Sequence, residues 1–285
     1  MRYLKFFLSL GVLTTFFIAC EKDISNLNAE ERKALSYKVF KEGEHLPQGS
    51  PKSMTRLERA IAIDPTNCDA LRELSVAHLK RGMPLDWYPQ FEKAALCDPK
   101  IWVPWRGYLY LQFYRDYDKA LADFNASDTL TPNFTDAPQG QSVDYWRGIA
   151  YLGRKDYEYS ILFFDTYIEK ETLESGEDWV ELTAFLYRGI AHFENGNYEE
   201  ALRDFDKQLN YARGFSADAK YFKAQVFMIQ NRCKEAKELV TSGIEDYNYG
   251  YYNQHPYTEA LRQLYLQDFE VLMTELTNKC PNQPS

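Results

Sequence analysis

Five cysteines and four histidines carry the most specific chemistry in this chain of 285 residues. Four of the cysteines, Cys68, Cys97, Cys233 and Cys280, are far apart in sequence; as an even set they could close two disulfides in any of three pairings, or remain buried thiols. The histidines at 45, 78, 192 and 255 are scattered, and no pair has the spacing His-Glu-x-x-His or Cys-x-x-Cys that would hold a metal. There is no glycine-rich phosphate loop and no Gly-x-Ser-x-Gly. Adjacent acids such as Glu199 and Glu200 read as a solvated helix start, where negative charge meets the positive end of the helix dipole. The sequence therefore predicts no catalytic site, no metal and no cofactor.

The fifth cysteine stands apart. Arg2 and Lys5 precede an apolar run from Phe6 to Ile18, which ends in Ala19 and Cys20. That run is too short to span a bilayer and reads as an export signal. Phe17-Ile18-Ala19-Cys20 resembles a bacterial lipobox, with Phe17 where Leu is usual. The resemblance implies cleavage after residue 19, diacylation of the Cys20 sulfur and acylation of its freed amine. Several acyl chains anchor stably where one does not, because each buried methylene contributes only about 0.8 kcal/mol. Residues 1–19 are then a lipoprotein signal peptide and 20–29 a polar tether, in which Glu21-Lys22-Asp23 is similar to export tracts of surface lipoproteins. This predicts a lipid-anchored protein of a Gram-negative cell envelope, at the outer membrane on its periplasmic or outer face.

Charge narrows the partners. With 33 Lys and Arg against 42 Asp and Glu, the net charge is -9 and no basic run is dense enough to follow a phosphate backbone, so nucleic acid is excluded. Aromatics make up 16% of the chain, including 22 Tyr, which either serve repeat packing or line a groove.

The elements that position these residues show best in Leu182 to Arg213. Leu182, Phe185, Gly189 and His192 share a helical face; Asn195-Gly196-Asn197 breaks the helix; Tyr198, Ala201 and Phe205 mark a second apolar face. Gly189 and Ala201 are small where two antiparallel helices must touch. This pattern resembles the tetratricopeptide repeat, of about 34 residues. Pro65 and Pro99, each closing a unit, are 34 residues apart. Further units carry Trp105, Gly107, Tyr117, Ala120 and Phe124; Trp146, Gly148, Tyr157, Ser160 and Phe164; and Ala224, Phe227, Ala236 and Val240. The first helix is expected at 30–44 with Ala34, Tyr37, Val39 and Phe40 as its buried positions, and the last at 257–277. The resemblance implies an all-α, right-handed α-solenoid over 30–279, about six helical pairs plus a C-terminal capping helix, with 280–285 as a tail.

It also implies a binding face made by the first helix of each unit, placing Arg72, Val76, Trp102, Arg106, Tyr110, Phe113, Tyr145, Ile149, Leu186, Ile190, Tyr221 and Gln225 on or near it. Such a groove suits an envelope protein or an extended peptide segment; the rival is a glycan or peptide ligand of an outer-membrane nutrient-uptake system. Trp105-Arg106-Gly107, Trp146-Arg147-Gly148 and Tyr187-Arg188-Gly189 recur every 41 residues. Their arginines have expected partners in Asp123 and Asp204, but Phe163 stands in the equivalent place for Arg147. Repeat geometry, finally, favours Cys68 with Cys97 and Cys233 with Cys280, since the start of one antiparallel helix lies beside the end of its mate.

Overall fold

The computed structural model describes residues 24–280. Cys20 and the signal segment lie outside the described residues. Six antiparallel pairs follow one another: α1 (Ala29–Glu44) with α2 (Pro51–Ile63), α3 (Cys68–Lys80) with α4 (Pro84–Cys97), and α5 (Pro99–Leu109) with α6 (Tyr117–Leu130). Then come α7 (Val143–Gly153) with α8 (Tyr157–Ser175), α9 (Leu182–Glu194) with α10 (Tyr198–Tyr211), α11 (Ala217–Ile229) with α12 (Cys233–Asn248), and a last helix, α13 (Leu266–Lys279). Each pair also packs on the next, so the chain is an all-α solenoid.

Local chemistry marks the boundaries. Asn28, Ser50, Asn67, Asp116, Ser142 and Ser216 each accept a hydrogen bond from the backbone N–H three residues on, satisfying a donor the helix leaves orphaned. Pro51, Pro84 and Pro99 open helices at the position where a missing N–H costs nothing. The turn inside each of pairs two to six passes through one left-handed residue, Gly82, Arg115, Lys155, Gly196 or Asn231.

Close approach explains the small residues. A Cβ on Gly189 would lie 2.7 Å from the Phe205 ring, and one on Gly107 or Gly148 would lie 2.8 Å from Phe124 or Phe164. Ser160, which stands where the repeat usually has Ala, donates its hydroxyl to the Gly148 carbonyl at 2.8 Å, so its polar atom is satisfied in the packed joint.

The arginines of the repeated triplet fasten successive pairs. Arg106 forks onto Asp123 of its own pair at 2.8 and 2.7 Å and reaches Glu92 of the preceding α4 at 2.8 Å. Arg188 repeats this with Asp204 at 2.8 and 2.6 Å and Asp165 of α8 at 2.7 Å. Arg147, lacking the aspartate, turns to Asp128 and Asp144 at 2.6 Å and to the Phe124 carbonyl at 2.5 Å, with its guanidinium 5.4 Å from the Phe163 ring centre. Lys223 pairs with Asp206 of α10 in the same sense. The hydrogen bonds that Arg106 donates to Asp123 hold its guanidinium above its usual pKa, so the staple stays charged.

Both disulfides follow the antiparallel logic. Cys68 joins Cys97 with Cα atoms 5.9 Å apart, and Cys233 joins Cys280 at 6.3 Å. The first ties the two helices of pair two, the second ties α13 back to α12.

Two expectations need correcting. In α1, Ala34 and Tyr37 face solvent, while Ser36, Val39, Phe40 and Gly43 are buried. The face is rotated because Ser36 donates to the Ala60 carbonyl at 2.8 Å and accepts from Asn67 at 2.8 Å. The last helix begins at Leu266, not at 257. Arg262 is left-handed, with φ of 56°, which interrupts a helix there, and the Tyr265 N–H donates to Asp268 at 2.7 Å to start α13.

Candidate functional site

What replaces the missing helical turns is a strap. Residues 249–265 run as turns and extended chain across the face formed by α11, α9, α7 and α5, held by groups from α11, α9 and the turn that follows α5. The Asn253 N–H donates to Asp218 of α11 at 2.7 Å, and its side-chain amide donates to the Tyr187 hydroxyl of α9 at 2.7 Å. Arg262 forks onto Glu194 of α9 at 2.6 and 2.8 Å. Gln112 donates to Thr258 at 2.7 Å, and Arg115 donates to the Glu259 carbonyl. Ala260, Leu261 and Leu264 are buried beneath. Burial pushes the Asp218 carboxyl up to about 6, against the pull of the strap's N–H, and pushes the Tyr187 hydroxyl to about 12.

Beyond the strap the same face opens into a cavity of about 560 Å³ between α3, α5 and α7. Arg72, Val76 and Lys80 come from α3; Trp102, Trp105 and Tyr108 from α5; Gln112 and Phe113 from the π-helical turn Tyr110–Tyr114 that continues it; and Trp146 from α7. Gln48 and Gln139 close the rim, and His255, Pro256 and Tyr257 of the strap form the far wall.

The rings interlock. Tyr108 lies 4.9 Å from Trp146 and 6.1 Å from Trp105, centre to centre. Trp146 is fixed by donating its indole N–H to the Pro138 carbonyl at 2.9 Å. Arg72 stacks over Trp102 at 5.1 Å. Lys80 sits 4.7 Å from the Tyr257 ring centre and donates to Gln48 at 2.7 Å. Burial, with the nearby charges of Arg115 and Lys80, lowers the pKa of His255, so the strap's wall is neutral at neutral pH. Burial likewise lifts the Tyr108 hydroxyl to about 12. Ring faces with a few polar groups at the edge make a binding surface; among the described residues no group of three or more His, Cys, Asp or Glu is placed to hold a metal.

The residues expected on this face are divided. Trp102 and Phe113 line the open cavity together with Arg72 and Val76. Tyr145 and Ile149 are buried and line a small remnant under the strap, with Leu186 at another and Ile190 in the core. Tyr221 packs on Phe222 and on Phe269 of α13. Arg106 and Tyr110 turn the other way: Arg106 into the staple, Tyr110 against Trp87 of α4 at 5.6 Å.

Trp105, Tyr108 and Trp146 take their place. One residue along a helix is a rotation of about 100°, so each aromatic-Arg-Gly triplet sends its aromatic to the groove, its arginine to the neighbouring pair and its glycine to the helix joint. The aromatic of the triplet was the signal to follow. The strap's contribution left no local signal.

A second depression of about 670 Å³ lies between the 131–142 insertion, α8 and the 177–181 connection. Many of its polar groups already bond to one another: Lys170 to Thr135 at 2.8 Å, Tyr167 to Gln141 at 3.1 Å and Gln141 to Glu181 at 3.2 Å.

No family model and no curated relative matches this chain. Solved structures do. A tetratricopeptide repeat protein from Parabacteroides merdae aligns at 19% identity over 87% of this chain and 85% of its own, with a TM-score of 0.58. PilW, described as a widely conserved type IV pilus biogenesis factor, aligns at 13% identity over 78% and 96%, with a TM-score of 0.58. Pseudomonas aeruginosa pilF aligns at 16% identity over 85% and 96%, at 0.54. At these identities the likeness establishes the fold: a tetratricopeptide-type solenoid.

Proposed function

We propose that this protein is a lipid-anchored interaction module of the cell envelope that docks a partner polypeptide at the open end of its groove. One observation carries the reading. An extended stretch of the chain itself lies across the inner helices through side-chain and backbone hydrogen bonds and turns back beside a ring-lined cavity. The groove thus already holds polypeptide along part of its length, and a partner segment would lie beyond the strap's turn. Buried rings dominate such contacts when they have a pocket to fill.

The two disulfides support an oxidising compartment. The lipobox-like Phe17-Ile18-Ala19-Cys20 is the sequence feature that supports membrane attachment; among the described residues no helix is long and apolar enough to cross a bilayer.

Affinity capture in mild detergent tests the reading. One envelope protein should co-purify with the wild type and be lost with Trp105→Ala, while circular dichroism stays unchanged. Mass spectrometry of Cys20→Ala should show loss of lipid and release to the soluble fraction; undiminished membrane retention would remove the anchor. A second reading, a glycan-binding uptake lipoprotein, draws on the three glutamines around the tryptophan faces, and affinity for a soluble oligosaccharide without any protein partner would favour it.

A further inference from the structure

We propose that the segment entering the cavity presents an aromatic or large apolar side chain with an Asp or Glu close by in sequence, the ring packing against Trp105 and Trp146 and the carboxylate meeting Lys80 and Arg72. This rests on the polypeptide-docking reading and specifies its chemistry.

The first argument is charge. Acids outnumber bases 42 to 33 along the chain, yet no Asp or Glu is among the residues lining this cavity, whereas Arg72 and Lys80 are. Arg72 is committed in part to Glu73 through one terminal nitrogen, and its Nε is buried without a partner. Lys80 is solvent-exposed and meets a glutamine oxygen and a ring face, with no carboxylate within ion-pairing distance among the described residues. Two further arginines are already engaged, Arg115 by the strap's Glu259 carbonyl and the strap's own Arg262 by Glu194 of α9. With Arg72 shared with Glu73 and Lys80 unpaired, the lining carries a local excess of one positive charge in an otherwise acidic protein, which selects against a basic segment, and a carboxylate placed at Lys80 would gain charge-assisted hydrogen bonds.

The second argument is continuity. The strap turns back at the cavity, its Pro256 and Tyr257 forming one wall, and Lys80 already reaches over the Tyr257 ring, so the cationic edge borders polypeptide already held on this face. The cations come from α3 and the Trp105 and Trp146 rings from α5 and α7, which calls for two neighbouring side chains on one segment.

The test uses a phage-displayed library of random dodecapeptides panned on the full chain in detergent. Enriched peptides are then synthesised with blocked termini and titrated by fluorescence anisotropy. The expected consensus pairs an aromatic or large apolar residue with Asp or Glu. Lys80→Glu, an exposed change, should weaken those peptides at least tenfold, and Trp105→Ala should abolish binding of all of them. Peptides that need Trp105 but lack an acid, or that bind Lys80→Glu equally, overturn the charge inference and leave the docking reading standing. A library that enriches nothing dependent on Trp105 overturns the docking reading itself.

Discussion

The two ends of the inner face are built alike and used differently. From α7 to α11 the strap covers the first helices, and Tyr145, Ile149, Leu186 and Tyr187 are buried under or bonded to it. From α3 to α5 the strap gives out, and Trp105 and Phe113 remain only partly covered around a cavity. The helices beneath are the same kind of hairpin, fastened by the same arginine staple at Asp123 and at Asp204. The difference teaches that groove aromatics in a repeat protein are not by themselves a binding surface; what lies on them decides whether they stabilise the fold or remain free for a partner.

Stability separates the ends most strongly. Leu264→Ala, in the strap's buried side, should cost about 3 kcal/mol through the transfer and cavity terms, while Trp105→Ala at the open end should cost about 1 kcal/mol. Chemical unfolding measures both, and equal losses would erase the distinction. The staples should behave alike at both ends: Asp123→Ala and Asp204→Ala each remove the forked partner of a half-buried guanidinium that keeps one other carboxylate, Glu92 or Asp165, and should each cost about 2 kcal/mol. A large loss at one and none at the other would show that the ends differ in scaffold as well as in cover.

A smaller effect tests the strap through pH. Asp218 is raised to about 6 by burial, so the folded state holds its proton more readily than the unfolded chain. Its contribution is complete below the ordinary aspartate pKa and is lost as pH rises through about 6. Lowering the pH from 7 to 5 should therefore add about 1 kcal/mol of stability from this group. Comparison of the wild type with Asp218→Asn isolates it, and parallel pH profiles would contradict the assignment.

Much of this was legible in the sequence, for physical reasons that differ by element. Gly107, Gly148 and Gly189 are dictated by helix contacts within one hairpin, so their spacing to Phe124, Phe164 and Phe205 is local and readable. The cysteine pairings follow from the same antiparallel geometry. The strap was not legible. Leu261, Leu264, Phe269 and Leu272 have helical spacing, and what breaks the helix is a left-handed Arg262 held by Glu194, 68 residues away. In the groove one residue of helical phase separates Arg106, which turns into the staple, from Trp105, which lines the cavity, and along the covered end the rings are readable from the repeat but the strap over them is not.

Hydroxyl-radical footprinting of the protein alone and with its captured partner tests the division of the face most directly. The account expects Trp105 and Tyr257 to be reactive alone and protected in the complex, with Tyr145 and Tyr187 unreactive in both. Tyr145 and Tyr187 reactive alone and protected on binding, with Trp105 unchanged, would contradict it.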